Sequence, residues 1–382
     1  MSLKRGAAET IFPISGQDTS WIALINTLIF LIFMLLIFTG LNQRIQMMLW
    51  IRNIKIHLVR IERLAKDARK KVLDMLKKGG IKGDPEKFLN TYLQFFVIDP
   101  VRDEPTNLMR RLEHLLNIRQ RRFKLGLKQV LPNLGEFTRA NLEIMIEAAR
   151  ALDIIYRLVR HYLMLGEKTN NWILIMQLEL EMPQIVKLAE TYHKALDAFK
   201  DGKPIGDGIG PLVAATLMNS GSSAVKRGVV EDTIVGVVER KNRKLYVIKA
   251  KGPGGTVGKP GEAVKKIVEE LKGKVSRIIM IDAALKLEGE KTGEVIEGVG
   301  AAIGDPGPEK FKIESVAMEH NIPLDSIIIK ESLEEALTPM RKEISDAVEK
   351  VIEKIDKALE ERTKEGDIVI VVGVGNSIGI AQ

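Results

Sequence analysis

The sequence predicts a single N-terminal transmembrane helix, an α-helical middle domain and a C-terminal α/β domain with a mostly parallel sheet. Three observations support this prediction. An uncharged apolar run covers residues 21–41. Amphipathic segments with helical spacing then follow one another up to about residue 200. After a Gly- and Pro-rich stretch, short apolar runs alternate with further helical segments.

The apolar run from Trp21 to Leu41 contains no charged side chain. At about 1.5 Å per residue, its length matches the roughly 30 Å hydrocarbon core of a bilayer. The apolar region of a cleaved signal peptide is shorter, at about 7–15 residues, and it ends at a small-residue cleavage site. The run is therefore expected to be a retained membrane anchor.

The charges that flank this run predict its orientation. Nine Lys and Arg residues lie between Arg44 and Lys71, against only Glu62 and Asp67. Because positively charged flanks stay on the cytoplasmic side, residues 1–20 are expected to be external and the bulk of the chain cytoplasmic. No later segment is apolar and long enough for a second crossing, so a single-pass protein of the plasma membrane is expected.

Composition and charge exclude some kinds of site. The 382-residue chain has no cysteine, which excludes disulfides and thiolate chemistry, and its five histidines are too dispersed to predict a metal site. The net charge of +8 is unevenly distributed, since residues 41–130 hold 21 Lys and Arg and 9 Asp and Glu, a balance of +12. The remainder of the chain therefore sums to −4.

A helical domain is predicted over residues 42–200. Its first helix continues from the anchor and is expected to end at Gly79-Gly80. Residues 88–100 fit either a helix or an extended strand. Three clearer helices are predicted over residues 106–130, 134–165 and 170–199. Successive amphipathic helices of this kind are typical of a helical bundle.

Residues 201–225 are rich in Gly and Pro and are interpreted as a linker, in which Gly206–Pro211 is either linker or the start of a helix. The α/β domain is expected over residues 226–382 and begins with a hairpin that turns at residues 241–243. The later strands are predicted at residues 278–281, 326–329 and 368–372, and the helices at residues 261–271, 312–320 and 333–362.

Three glycine-containing segments follow predicted strands and are expected to meet at one edge of the sheet. In the first of these segments, Lys251–Val264, glycines let backbone N–H groups approach an anion at the start of a helix. It is not a Walker A loop, because Pro253 and Pro260 replace its first glycine and its metal-binding hydroxyl. The candidate ligand-binding residues are Gly252, Gly254, Gly255, Thr256, Gly258, Lys259, Asp282, Lys286, Gly373, Gly375 and Asn376. For the first segment alone a tight structural turn is favoured, and a phosphate or a nucleotide is the candidate ligand if the three segments form a site.

Some of these side chains can support catalysis. Asp282 suits a general base, Lys286 a phosphate-binding lysine, and Glu288 and Glu290 magnesium-binding carboxylates. A solvated loop of mixed charge is the alternative interpretation. The chain contains no recognisable catalytic constellation, so a non-catalytic role is favoured over an enzyme that acts on a phosphorylated ligand.

A second candidate surface is basic and consists of Arg110, Arg111, Arg119, Arg121, Arg122, Lys124 and Lys128. These residues lie beyond the immediate flank of the anchor, so they are candidates for contact with RNA phosphates or with an acidic protein. Attraction of the whole basic region to anionic lipid is the favoured explanation. Phe123 is the only aromatic residue among them, which weakens the case for nucleic acid, and no sequence-specific DNA binding is expected.

Several segments together resemble a known family. They are Phe96–Pro100, Arg111–Leu116, Pro204–Asp207, Lys251–Gly255 and Leu285–Gly293, and the apolar run precedes them. In these segments the chain resembles the domain of unknown function 1512, an archaeal family of membrane-anchored proteins, and the resemblance extends over most of the chain. It implies an archaeal plasma membrane but transfers no catalytic residue.

The predicted function is that of a membrane-anchored scaffold that associates with itself and binds a phosphate-bearing ligand through its α/β domain. One alternative is a tether that holds the ribosome or another anionic assembly through residues 41–130. The second alternative is the enzyme described above.

Overall fold

The computed structural model describes residues 18–38, 41–98, 100, 105–220, 224–304 and 307–381. Most of the predicted external N-terminus, residues 1–17, lies outside the described residues. The chain divides into two units. The first contains the chain up to Leu58 together with Val159–Pro183, and the second contains Val59–Leu158 together with Gln184–Gln382.

The first unit is helical in its described part. It contains α1 (Asp18–Phe38), the start of α2 (Leu41–Lys78), the end of α5 (Glu136–Thr169) and the start of α6 (Trp172–Asp201). Within this unit, Asn53 of α2 donates a hydrogen bond to Glu179 of α6. Lys55 of α2 pairs with Glu167 of α5 at 2.6 Å. These polar contacts join the three longer helices of the unit.

The prediction of a transmembrane helix is wrong. Among the residues that the structure describes, no helix combines the length and the apolarity needed to cross a membrane. The predicted location as a single-pass plasma-membrane protein, with an external N-terminus and a cytoplasmic bulk, is corrected with it.

The second unit begins with helices. The remainder of α2 is followed by α3 (Pro85–Leu93) and α4 (Pro105–Val130), and by most of α5 and α6. Asp84 caps α3 by accepting a hydrogen bond from the Glu86 backbone N–H, so the ambiguous segment after residue 88 begins as a helix. Lys71 of α2 pairs with Asp197 of α6 at 2.9 Å, beside a row of buried apolar side chains on α2.

The sheet has seven described strands, in the order β1-β2-β3-β7-β4-β6-β5. Their bounds are β1 Ala224–Val230, β2 Thr233–Arg240, β3 Arg243–Ala250, β4 Arg277–Leu285, β5 Val295–Val299, β6 Leu324–Glu331 and β7 Ile368–Gly373. The four strands β3, β7, β4 and β6 are parallel. The sheet is nevertheless mixed rather than mostly parallel as predicted, because β1 and β2 on one side and β5 on the other add antiparallel pairings.

Helices cover both faces of this sheet. A 3₁₀ turn (Gly206–Gly208) leads into α7, and the remaining helices are α7 Ile209–Asn219, α8 Pro260–Glu270, α9 Pro308–Glu319, α10 Leu333–Leu337, α11 Lys342–Ser345 and α12 Ala347–Arg362. One core contains side chains of α7 and α12, and the other contains side chains of α8 and α9. The single helix predicted over residues 333–362 is divided, because Pro339 lacks an N–H and holds the preceding Thr338 in an extended conformation.

Part of the Gly- and Pro-rich region lies in the core of the sheet. Ile209, Val213 and Leu217 of α7 are buried there. Gly210 permits this close packing, since a Cβ at that position would overlap the carbonyl oxygens of Val374 and Ile281. The 3₁₀ turn that precedes α7 is thereby held at the carboxyl ends of the parallel strands.

Candidate functional site

The glycine loop, residues 251–259, connects the carboxyl end of β3 to α8. Three of its N–H groups donate to side-chain oxygens: Gly255 donates to Asn141 Oδ1 at 2.9 Å, Gly258 to Thr256 Oγ1 at 3.2 Å and Lys259 to Thr233 Oγ1 at 2.8 Å. Asn141 lies on α5, so the loop is fastened to the helical part of the second unit. A ligand that binds these three N–H groups has to compete with the side-chain oxygens of Asn141, Thr256 and Thr233.

The segment after β7 holds the glycine loop from the other side. The Ser377 hydroxyl lies 3.1 Å from the carbonyl oxygens of Lys251, Gly254 and Thr256. A Cβ at Gly252 would overlap the carbonyl oxygen of Ile380, so the approach of this segment requires glycine. The loop after β3 and the segment after β7 form one rigid edge, because β3 and β7 are parallel neighbours.

A cavity of about 850 Å³ opens beside this edge. Its walls are α4, α5, the turn between β1 and β2, the glycine loop and Asn376. Apolar lining comes from Leu116, Phe123, Leu125, Phe137, Ala140, Ile144, Val230, Ile234 and Val257. The cavity brings together two sets of residues that the sequence analysis considered separately: Gly254, Gly255, Thr256, Gly258 and Asn376 of the anion candidates, and Arg119, Lys124 and Lys128 of the basic surface.

Most charges in the cavity wall belong to ion pairs. The lining contains the cations Arg119, Lys124, Lys128, Arg139 and Lys251 and the acids Glu136, Glu143, Glu147, Glu231 and Asp232. Arg119 pairs with Glu147 at 2.6 Å and Lys251 with Glu136 at 2.7 Å. Lys124 binds both Asp232 and Glu231, and Lys259 outside the lining lies 3.5 Å from Glu231.

Three charged side chains of the lining remain outside these pairs. Lys128 is exposed and has no polar partner among the described residues. Arg139 donates to the carbonyl oxygens of Leu131 and Leu134. Burial raises the pKa of Glu143 to about 7, although the nearby Lys124 opposes the shift. Near neutral pH, these three groups carry an excess of positive charge.

The other residues of the predicted basic surface lie outside the cavity. Arg110, Arg121 and Arg122 are exposed on α4, and the Arg122 guanidinium lies 5.3 Å from the centre of the Phe95 ring. Arg111 is half-buried and has a polar or electrostatic partner. Arg110, Arg121 and Arg122 present positive charge to solvent rather than to the cavity.

Four predicted ligand-binding residues lie at the same sheet edge without lining the cavity. Gly373 ends β7, and Gly375 follows it beside the Asp207 backbone. Asp282 is buried on β4 and accepts hydrogen bonds from the N–H groups of Ala283 (2.8 Å) and Gly304 (3.3 Å). Lys286 donates to Thr292 Oγ1 at 2.7 Å.

The two carboxylates considered for magnesium differ in their surroundings. Glu290 accepts a hydrogen bond from the Leu287 N–H and pairs with Lys330 at 2.5 Å. Glu288 is exposed in the loop after β4. Glu290 is thus held by a protein cation.

Sequence reasoning missed the acidic side chains that distinguish this edge. Asp207 accepts a hydrogen bond from the Asn376 N–H at 2.8 Å, so the glycine-rich turn before α7 meets the segment after β7. Glu331 ends β6 and is 1% exposed. A charged residue at the end of a buried apolar strand was the available signal for Glu331. Glu143 offered no such signal, because it resembles the other charged residues of an amphipathic helix.

Comparison with protein-family models agrees with the architecture. Residues 28–202 match the family model described as "Protein of unknown function (DUF1512) N-terminal domain", and residues 205–381 match "Domain of unknown function (DUF1512) C-terminal". The chain belongs to the DUF1512 family. The family boundary at residues 203–204 falls just before the 3₁₀ turn and α7, so α7 belongs to the C-terminal family domain. No curated protein matches the chain.

Proposed function

We propose that this protein binds a phosphate-bearing small molecule of about nucleotide size in the cavity between α4, α5 and the glycine loop. The observation that carries this proposal is the excess positive charge of the cavity. With Lys259 counted against Glu231, the paired charges of the lining balance. The lining then holds two further cations, Lys128 and Arg139, and one further carboxyl, Glu143, whose raised pKa leaves it partly neutral near pH 7. An anionic group compensates this excess.

The size and the apolar lining of the cavity also support the proposal. Small-molecule sites typically enclose about 300–1,000 Å³ and combine apolar walls with a few polar groups. Here, Phe123, Phe137 and Ile144 offer an apolar surface to the organic part of the ligand. The paired cations Arg119 and Lys124 can each exchange a protein carboxylate for a phosphate oxygen. The net gain from each exchange is smaller than from a free cation.

Thermal denaturation of the full chain at constant ionic strength tests this function with ATP, GTP, NAD⁺ and pyrophosphate as probes. At least one probe is expected to raise the melting temperature in a concentration-dependent manner. Lys128→Ala is expected to weaken its binding about fivefold, the effect of removing about 1 kcal/mol of partly screened attraction. Glu143→Gln is expected to strengthen binding at pH 8 and to change little at pH 6, where Glu143 is already protonated.

The control is Lys87→Ala, which removes an exposed lysine of α3 outside the cavity lining. Its ligand response should equal that of the wild type. If no phosphorylated probe stabilises the protein, the proposal fails. It also fails if Lys128→Ala and Lys87→Ala weaken binding equally, since the effect is then one of overall charge.

A second candidate function is the capture of an anionic assembly such as the ribosome by α4. Its support is the line of exposed arginines Arg110, Arg121 and Arg122 on that helix. Co-sedimentation with ribosomes is then expected to fall steeply between low and high salt, because each phosphate contact releases counterions. Binding that is independent of salt would contradict this function. Self-association of the chain and an archaeal source also remain predictions.

A further inference from the structure

The apolar side chains that line the cavity continue from its buried part to its exposed rim. Phe123, Val230 and Ile234 are at most 7% exposed. The apolar rim consists of four large side chains of the same lining that are between 37% and 59% exposed: Leu116, Leu125, Phe137 and Val257. Single exposed apolar side chains are normal on a protein surface, but several around one cavity mark a surface that an apolar group covers.

The uncharged polar side chains of the lining are already engaged within the protein. Each of the four has a polar contact there: Gln120 with Asp232, Thr233 with Lys259, Thr256 with Gly258 and Asn376 with Ile378. A ribose and a base carry several donors and acceptors, which have to displace such contacts or stay unpaired. An apolar chain carries none of these groups. The lining therefore favours an apolar organic part over a nucleoside.

The two cations outside the ion pairs lie at one end of the cavity. Lys128 is in the last turn of α4. Arg139, near the start of α5, donates to the carbonyl oxygens of Leu131 and Leu134, which connect the two helices. Leu116 precedes Lys128 by twelve residues on α4, which is about 18 Å along the helix axis. The cavity thus extends from these cations at one end to an apolar rim residue at the other.

Apolar side chains also lie between these two ends. The ion pair between Arg119 and Glu147 joins α4 and α5 at the end near Leu116, so the two helices run antiparallel along the cavity. Phe123 of α4 and Ile144 of α5 both line the cavity between that pair and the connection of the helices. A chain that starts from an anion at the cationic end therefore meets apolar side chains along its length.

We propose that the ligand of this cavity is an amphipathic phosphate, that is, a phosphate or diphosphate ester of an apolar chain. This inference rests on the proposed function and names the class of its ligand. The phosphate lies at Lys128 and Arg139, and the chain extends along α4 over Phe123 to the apolar rim. Burial of the chain and of the rim supplies most of the affinity. The charge of the phosphate selects against neutral and cationic amphiphiles.

Thermal denaturation of the full chain with ethyl, butyl and hexyl phosphate tests this inference, with pyrophosphate and ATP as the probes without an apolar chain. Each alkyl phosphate is used below its micelle-forming concentration and at constant ionic strength. The apparent affinity is expected to rise about fourfold for each added CH₂ group, the effect of burying one methylene. Hexyltrimethylammonium, which has the same chain and the opposite charge, should not stabilise the protein.

Variants of the rim separate the chain from the phosphate. Leu125→Ser and Val257→Ser are each expected to weaken the binding of hexyl phosphate about fivefold, since part of one apolar contact is lost. Both should leave the binding of pyrophosphate unchanged, because no cation is removed. Both side chains are more than half exposed, so the variants are expected to fold. The matched control is Leu180→Ser, at a 70% exposed leucine of α6 outside the lining, which should retain the full response to chain length.

Three results would overturn the proposal: an affinity that does not change with chain length, equal stabilisation by hexyl phosphate and hexyltrimethylammonium, or equal losses in Leu125→Ser and Leu180→Ser. The first result would assign the apolar rim to a protein partner instead. If pyrophosphate or ATP still stabilises the protein and Lys128→Ala weakens that effect, the proposed function stands without this ligand class. If no phosphate probe stabilises the protein, both fail.

Discussion

At the scale of residues, the most informative contrast is between Glu331 and Glu335. Glu331 is buried without a partner, and burial together with neighbouring carboxyls raises its pKa to about 8. Burial also acts to raise the pKa of Glu335, but hydrogen bonds from Ser332 and Thr292 and the charge of Lys286 lower it to about 2. At pH 7, Glu331 is therefore mostly protonated and neutral, whereas Glu335, four residues further along the chain, is ionised. The difference arises because only Glu335 has hydrogen-bond donors.

Glu331 is expected to make the stability of the protein fall as pH rises from about 4.5 to about 8. In this range the folded state binds a proton at Glu331 that the unfolded state has released, so deprotonation favours unfolding. Glu331→Gln should remove about 2–4 kcal/mol of this loss. Urea unfolding of both proteins at pH 5 and pH 8.5 measures the effect. Parallel pH profiles for the wild type and the variant would contradict it.

At the scale of elements, one lysine connects three helices. Lys312 of α9 lies 2.6 Å from Glu113 of α4, 2.8 Å from Glu262 of α8 and 3.3 Å from Glu309 of α9. Its side chain is 12% exposed. Burial acts to lower the pKa of Lys312, but the hydrogen bonds from Lys312 to Glu113 and Glu262 raise it overall. The helical part of the second unit is therefore joined to the α/β part by a buried charge.

Lys312→Met should destabilise the protein by about 3 kcal/mol, because three carboxylates lose their shared cation in a partly buried position. Lys265→Met is a matched control, since Lys265 is half-exposed and pairs only weakly with Glu269 on the same helix. Chemical denaturation gives both values. A loss below about 0.5 kcal/mol for Lys312→Met would show that the cluster is not a structural link.

The packing of α7 supplies a second test at this scale. Gly210→Ala should destabilise the protein by about 1–3 kcal/mol, because the added Cβ displaces the backbone carbonyl oxygens of Val374, just after β7, and Ile281, within β4. Gly135→Ala is the comparison, since a Cβ at that position meets nothing closer than the Thr138 hydroxyl at 4.0 Å. Equal stability of the two variants in thermal denaturation would mean that α7 does not pack against the sheet as described.

The sequence predicted local elements better than their assembly. Helical periodicity placed the helix expected over residues 106–130 within one residue of α4. Apolar runs likewise marked β4, β6 and β7, because a strand covered on both faces needs apolar side chains at nearly every position. Apolarity alone misled at residues 21–41, since the same composition suits a membrane span and a helix that does not span. The strand β5 carries too few buried side chains to be recognised from its sequence.

The candidate site shows the same limit. The glycine loop was recognisable because glycine and proline mark a turn before a helix. The basic residues of α4 were recognisable as a charge cluster. Which of them line the cavity depends on the face of α4 that turns toward the glycine loop, and only Arg119, Lys124 and Lys128 do so. The acids that pair with them, Glu147 and Asp232, come from other elements. Their positions depend on tertiary packing and so were not predictable.

At the scale of the whole molecule, the family domains and the contact units do not coincide. The family models divide the chain near residue 203, whereas the second unit contains residues 59–158 as well as 184–382. The cavity draws its walls from both family domains within that second unit: α4 and α5 belong to the first, and the glycine loop belongs to the second. Ligand binding in this cavity is therefore expected to require both domains.

The most direct test of ligand binding in the cavity is a crystal structure of the full chain with the phosphorylated probe that most raises its melting temperature. We expect the phosphate within hydrogen-bonding distance of Lys128 or Arg139 and the organic part against Phe123 and Phe137. A probe bound at another surface, with the cavity filled by water alone, would contradict the account.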